Sequence, residues 1–373
     1  MNRREAYIAL NMIDTLGPIR VRNLVQALGS PEAVLEAPEE ALRTAEGIGA
    51  EVARGIVRQR ETVDPSDEEA KARRCGARLV TLEDPDYPEP LKKIYDPPLV
   101  LYVRGTVEKK DRHAIAVVGT RHATHYGLSV ADRLSYQLAK TGFTVVSGLA
   151  RGIDTAAHRA ALKGEGRTLA VLGSALDRVY PEENAGLADE IAEHGAVISE
   201  YTMGREPDRT TFPYRNRVVS GLSLGTVVVE AGVKSGAVIT ATEALEQGRS
   251  VFAVPGRVDM PSARGTHMLI KQGARLCEGV DDILQEFELL IPEARNRAER
   301  AMPKRPDIPL TPAEQAVVRA LWKGALDVDS LAREAQLSSA DLSALMLSME
   351  MKRVIRILPG RVVELRDDLM PGG

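Results

Sequence analysis

Between residues 76 and 288 the chain alternates two patterns. Short apolar runs recur as VLYV, AIAVVG, TVVSG, TLAVLG, AVISE, TVVVE and SVFAVPG, most of them passing directly into Gly, Ser, Pro or Glu. The intervening stretches place apolar residues at helical spacing. A run with no polar alternation suits a strand covered on both faces, and strands that alternate with helices predict a parallel sheet sandwiched between helical layers. The expected fold class is therefore α/β, an extended Rossmann-like parallel sheet. Such sheets take their ligands beyond the carboxyl ends of the strands, where glycine permits close backbone approach.

The flanks read differently. Residues 1–75 form short helices broken at LGPIRVRN and EGIGAEVARG, a helix-turn-helix rhythm similar to paired helix-hairpin-helix or SAM-like units. Turns of this kind can hold a phosphate on backbone N–H groups. The arginines of residues 1–64 are nevertheless outnumbered by acids, eight to ten, which equally fits a helical packing module. Residues 289–309 carry four prolines and five basic residues without apolar periodicity and read as a linker. Residues 310–373 begin with three helical segments followed by a two-stranded ribbon, the order of a winged helix. Its third helix carries Asp341 and Glu350 and has Lys352 and Arg353 only at its end, an arrangement better suited to a regulatory or partner-binding role than to reading DNA sequence. The stripe Leu342, Leu345, Met346 and Met349 is expected to face the core.

Four loops of the central region carry the candidate chemistry. After AIAVV, Gly119 and Thr120 offer a close backbone, and Arg121 a planar cation ahead of a helix; no Gly-x-Gly-x-x-Gly is present for a pyrophosphate. After TVV, Ser147, Gly148 and Arg151 repeat that arrangement. Asp154 and His158, four apart on the next helix, admit a catalytic pairing, but an acid in a first helical turn and an Asp–His hydrogen bond on one face are more often structural. The third loop, GREPDRTTFPYRNR, sets Arg205, Arg209, Arg215 and Arg217 against two acids. Pro213 is expected to hold the chain extended there. Phe212 or Tyr214 would then offer a ring to a base while Arg215 and Arg217 meet phosphates; the alternative is that Phe212 plugs the core and the arginines pair with acids. In the fourth loop Ser235 and Gly236 precede another helix. Together the loops predict a groove too long for one small ligand.

Composition narrows the field. Of 373 residues, 44% are hydrophobic and 27% charged, which excludes disorder, and the net charge of −4 means that any nucleic-acid contact must be local. The beginning MNRREAYIALNMID lacks a secretory pattern and no apolar run reaches membrane length, so a cytoplasmic protein is expected, with no membrane partner. Cys75 and Cys277 have no metal-spaced neighbours and are expected to be buried thiols. Walker A, His-Glu-x-x-His, Cys-x-x-Cys and Gly-x-Ser-x-Gly patterns are all missing, so neither a metal nor another cofactor is expected, and the chain reads as a binder rather than an enzyme.

The segments DPDYPEPLKKIYDPPLVLYVRG, VVGTR, SGLARGIDTAAHRAAL, AVLGSALDRVYPEEN, FPYRNRVVSGLS, VVVEAGVKSGAVITATEALEQGRSVFAVPG and GTHMLIKQGARL run in an order that resembles the DNA-processing protein A (DprA/Smf) family over residues 81–279. That resemblance implies a homodimeric, non-enzymatic mediator that binds single-stranded DNA, protects incoming strands during natural transformation and loads RecA recombinase. It assigns DNA contacts to Gly119, Thr120, Arg121, Ser147, Gly148, Arg151, Phe212, Arg215, Asn216 and Arg217. Arg209 joins them on charge and placement. It also places the dimer surface near Gly265 to Cys277. Two other readings compete. A nucleoside-monophosphate phosphoribohydrolase would use a Gly-rich loop similar to the segment at Ser235 and Gly236, but its Pro-Gly-Gly-x-Gly-Thr-x-x-Glu run is missing. A sequence-specific regulator would rely on residues 304–373, whose acidic third helix argues against it.

Overall fold

The computed structural model describes residues 1–288, 290, 310–322, 324–352, 354–358 and 360–365. The expected linker, Leu290 apart, and Arg353 lie outside the described residues. The chain forms two compact units, Met1–Ala301 and Met302–Gly373.

The first unit is built on a nine-stranded sheet. Its strands in chain order are β1 (Ala77–Thr81), β2 (Val100–Gly105), β3 (Ala114–Val118), β4 (Thr144–Ser147), β5 (Thr168–Val171), β6 (Ala196–Ser199), β7 (Gly225–Val228), β8 (Ser250–Ala253) and β9 (Arg275–Leu276). Across the sheet they lie in the order β1-β2-β6-β5-β4-β3-β7-β8-β9. From β6 to β9 every pair is parallel. The VLYV strand, β2, departs from the parallel expectation: it runs antiparallel to both β1 and β6. The short connection from β1 to β2, residues 82–99, contains only a single helical turn, Glu89–Lys92, and no full crossover helix, so the two strands meet as neighbours of opposite sense.

Both sheet faces are covered, which is why the strands lack polar alternation. On β3, Ile115 and Val117 pack with Val130, Leu134 and Leu138 of the helix His125–Thr141. Ala116 and Val118 point the other way, to Val218 and Val219 of the helix Thr211–Gly221 and Ala241 of the helix Gly236–Glu246. The amino-terminal helices are not a separate body. Ile8, Leu24, Leu42 and Ile56 share one apolar cluster with Tyr102, Leu172 and Val197 of the sheet region. The change at residues 75/76 is thus one of sequence pattern, not of packing. Cys277 is buried, and burial pushes its thiol up to about 12, whereas Cys75 is half-buried, contrary to expectation. No helix of the described residues is long and apolar enough to cross a membrane.

The second unit contains the helices Pro312–Leu321, Val328–Glu334 and Ser339–Met351 around Leu321, Leu331, Leu342, Met349 and Val363. Its sheet has three strands, not two, because Leu326–Asp327 pairs alongside the ribbon Ile355–Leu358 and Val362–Leu365. Of the predicted apolar stripe, Leu342 and Met349 are buried, and Leu345 and Met346 half-buried.

Candidate nucleic-acid interface

In a parallel sheet, neighbouring strands whose connections leave in opposite directions open a crevice at their carboxyl ends. Here those strands are β3, which connects onward to β4 on one side, and β7, which connects to β8 on the other. The crevice is a cleft of about 600 Å³ lined by Gly119, Thr120, Arg121, Gly148, Arg209, Phe212, Arg215, Asn216, Lys234, Ser235 and Gly236, among others. All four loops singled out by sequence meet there.

Glu230, just past β7, staples the crevice. Its carbonyl accepts the Thr120 N–H at 2.7 Å, and its carboxylate accepts the Thr124 N–H at 3.0 Å and hydroxyl at 3.1 Å. Thr124 in turn caps the helix His125–Thr141, its hydroxyl accepting from Gly127 N–H at 3.1 Å. The first and fourth loops are thereby locked to each other. Nothing in the run TVVVE distinguishes this glutamate from any other strand end, so sequence reasoning passed over it.

The helix Thr211–Gly221 contributes the other wall. It begins earlier than expected: Pro213 lies inside its first turn, where a missing N–H costs nothing, and does not hold an extended segment. Asp208 draws the start together, one carboxylate oxygen accepting the N–H groups of Thr210 at 2.7 Å and Thr211 at 3.0 Å. The Phe212 ring then lies over Gly173, where a Cβ would come within 2.8 Å of it. Tyr180 flanks it at 5.6 Å between centroids, and the Arg121 guanidinium lies 5.0 Å over it. Phe212 is half-buried, so the ring is a platform at the rim and not a core plug.

Arg215 is buried beneath that platform, donating to the carbonyl of Gly148 at 2.7 Å and to that of Val171. A Cβ at Gly148 would come within 2.5 Å of this guanidinium, so glycine is what admits it. Burial lowers the Arg215 pKa, with Asp154 acting against that, and burial raises the Asp154 carboxyl. Arg215 therefore braces the floor, tying the loop after β4 to the end of β5. Asn216 holds this helix to the next, its amide donating to the Gly236 carbonyl at 3.2 Å.

Arg215, expected to meet phosphates but buried on carbonyls, and four further expected contacts need correction. Arg217 does not face the cleft: it is 3% exposed, ion-paired with Glu200 and with Asp96 at 3.0 Å, and its guanidinium lies 4.1 Å over the Tyr214 ring. Burial works against its charge, but Glu200, Tyr214 and Asp96 keep its pKa above the ordinary value. Helical spacing explains the inversion, since residues two apart on a helix point to different sides. Ser147 is fully buried, its hydroxyl donating to the Val117 carbonyl at 2.7 Å. Three backbone donors of the first two loops are engaged as well: the N–H groups of Gly148 and Ala150 donate to the Asp154 carboxylate at 3.1 and 3.4 Å, and the Thr120 N–H donates to the Glu230 carbonyl.

What faces solvent in the cleft is cationic. Arg121, Arg209 and Lys234 are exposed, and none has an ion-pair partner among the described residues. The lining acid, Asp154, is buried and bound to loop amides. Lys234, absent from the sequence-derived set, was visible only as one loop cation ahead of a helix start. The helix Gly236–Glu246 adds its positive end, with the Ser235 hydroxyl accepting from Ala237 N–H at 3.3 Å. Arg151 borders an adjoining hollow with Tyr180 and Phe212, but a bidentate pair with Glu183, at 2.8 and 2.9 Å, offsets its charge. Asp154 and His158 do not act as a pair. Asp154 binds the loop, whereas His158 Nδ1 meets the Thr168 hydroxyl at 2.7 Å, and burial depresses its pKa to about 3, so the imidazole is neutral.

Residues 78–288 match the family model described as DNA recombination-mediator protein A, and residues 301–361 match the DprA winged helix domain. Protein Smf of Synechocystis is 33% identical across 96% of this chain and 98% of its own length. DNA processing protein DprA of Bacillus subtilis is 44% identical over 58% of this chain and 74% of its own. Among solved structures, DNA processing protein A from Streptococcus pneumoniae aligns with a TM-score of 0.67 at 32% identity, covering 77% of this chain and 99% of that one. The Helicobacter pylori protein, whose single-stranded DNA binding mode has been described, aligns with a TM-score of 0.52 at 30% identity, covering 58% and 99%.

Proposed function

Because the chain belongs to the DNA recombination-mediator protein A family, we propose that its cleft holds single-stranded DNA and passes the strand on without chemical change. The observation that carries this reading is the set of three exposed cations, Arg121, Arg209 and Lys234, with no ion-pair partner among the described residues, above a floor held by the hydrogen bonds of Arg215 and Asp154. Phosphates meet the cations, and an unstacked base lies on the Arg121–Phe212 pile, since both guanidinium planes and aromatic rings stack bases irrespective of sequence. Gly119, Thr120 and Gly148 shape the walls and let the strand come close. Arg215 and Asn216 hold the walls apart.

In the cell this protein would cover strands taken up during natural transformation, shield them from degradation and load RecA. A mediator needs a grip that is strong enough to compete for the strand and reversible enough to release it, and a few solvated phosphate contacts with one stacking step provide both. A homodimer through the segment from Gly265 to Cys277 fits the same reading: β9 is an open sheet edge whose Leu276 is exposed. Gly265, Thr266, Leu269 and Cys277 are buried within the protomer and would support that edge from behind.

The test is binding to a single-stranded oligonucleotide and to its duplex, by the intact chain and by a variant with Arg121, Arg209 and Lys234 all changed to Ala. Three neutralised phosphates give a slope of log K against log salt near −2 and roughly a 20-fold loss between 50 and 200 mM. The triple variant should lose that slope. Equal single-strand affinity in the variant, or tighter duplex binding by the intact chain, would overturn the reading.

A further inference from the structure

The geometry points to a second nucleobase site outside the cleft, in the hollow between the amino-terminal helix Pro18–Leu28 and the segment Tyr95–Leu99. This inference rests on the single-strand reading of the cleft and extends the path of the same strand.

Large exposed aromatics are scarce in this chain, yet two of them are joined through contacts that start on the cleft helix. Tyr214, on the cleft helix, is 42% exposed, and Tyr95 is 70% exposed. A continuous set of contacts joins them: the Tyr214 ring lies against Arg217, Arg217 pairs with Asp96, and Asp96 follows Tyr95 in the chain. The Tyr214 hydroxyl is also 3.9 Å from where a side chain on Gly17 would begin, so the cleft helix abuts the turn that starts the helix Pro18–Leu28. That helix supplies Arg22, whose guanidinium lies 4.8 Å over the Tyr95 ring and donates to the Tyr95 carbonyl at 2.7 Å. One face of each tyrosine thus carries an arginine, as Phe212 carries Arg121, and the arrangement of the cleft platform is repeated.

Beside Tyr95 opens a hollow of about 330 Å³ with apolar walls, among them Pro18, Val21 and Pro97; its polar members are Arg22, Gln26 and the buried Tyr7, whose hydroxyl donates to Glu83 at 3.1 Å. An apolar slot with one stacking ring, one cation and one amide is the chemistry of a flipped base and its phosphate. Arg22 has no ion pair among the described residues, and Asp96, whose carboxyl feels its charge, is held by Arg217. Contacts that lead back to the cleft helix, and a cation without a carboxylate partner among the described residues, favour a nucleotide over a protein side chain as the occupant.

The experiment uses the full chain and oligothymidylates lengthened stepwise across the range of about 4–16 nucleotides. Affinity should rise once when the cleft fills and again when the strand reaches Tyr95. Tyr95→Ala and Arg22→Ala should each reduce the second rise by roughly tenfold and leave the shortest strands unaffected, while Tyr95→Phe keeps it. Arg22→Ala should also lower the salt slope for long strands by about 0.7, which Tyr95→Ala should not. A 5-iodouracil scanned along the strand should crosslink to Tyr95 at one distance from the cleft. Wild-type affinities at every length in both Ala variants would assign the hollow to a protein side chain and overturn the proposal. An equal loss for short and long strands would do the same, because the effect would then run through Asp96 and Arg217. Arg121→Ala in the same series separates the two readings: unchanged short-strand binding refutes the cleft, whereas loss there with no second rise in wild type refutes only the extension.

Discussion

Two layers of polar side chains, one lining the cleft and one buried beneath it, differ in what holds them. The lower layer contains Arg215, Arg217, Asp154 and His158, all buried; three of them rest on carbonyls, carboxylates or loop amides, and His158 on a threonine hydroxyl. The upper layer contains Arg121, Arg209 and Lys234, exposed and without carboxylate partners among the described residues. The lower layer sets the shape of the cleft and the upper layer supplies its attraction. A guanidinium buried between Glu200 and Asp96 is out of a phosphate's reach, whatever its position in a motif.

That division can be broken most sharply at Arg217. Replacing it with Ala strands the Glu200 carboxylate in the interior and should lower stability by about 3–5 kcal/mol. Thermal or urea unfolding measures this, and the variant that remains folded should bind single strands as the parent does. A large affinity loss with unchanged stability would move Arg217 into the upper layer.

The lower layer should also respond to acid. His158 ordinarily titrates near 6.5 and in the fold near 3, so the unfolded chain binds the extra proton between those values. Its contribution to stability is intact above about pH 6.5 and declines as pH falls toward 3, amounting to about 2 kcal/mol between pH 7 and pH 5. Unfolding midpoints at the two pH values, compared with those of His158→Gln, isolate this share, and equal pH sensitivity in the variant would contradict it.

In the upper layer, Phe212→Ala removes a stacking surface and the seat of Arg121, and single-strand affinity should fall roughly tenfold with melting little changed. Lys234→Ala should reduce the salt slope by about 0.7 and shift affinity modestly at physiological salt. The smallest effect is expected at Arg151, whose exposed pair with Glu183 offsets its charge: Arg151→Ala should change affinity by less than about twofold. A larger change there would mean that the strand displaces Glu183.

Seven of the nine strands of the first unit, their parallel character and the meeting of four loops were legible because each follows from a periodic or local pattern, whereas the edge strands β1 and β9 are too polar or too short to stand out. The antiparallel edge was harder to see, since VLYV reads the same whichever way its neighbour runs. Arg121, Arg209 and Phe212, singled out by their placement in loops or at a helix start, do line the cleft. Arg217 was misread because a run of cations looks alike in sequence until helical phase and two distant carboxylates, Asp96 and Glu200, are known. Glu230 and Gly173 escaped notice for a related reason: what makes them matter is a contact with a loop far away in the chain.

The apolar cladding on both sides of the central strands leaves their ends as the place where recognition can be adjusted. Each of the four loops springs from a different strand, and the sheet beneath them does not depend on which exposed cation a loop carries. Grip on the polymer can therefore be retuned one loop at a time, by exchanging a single tip residue, while the folded framework stays as it is.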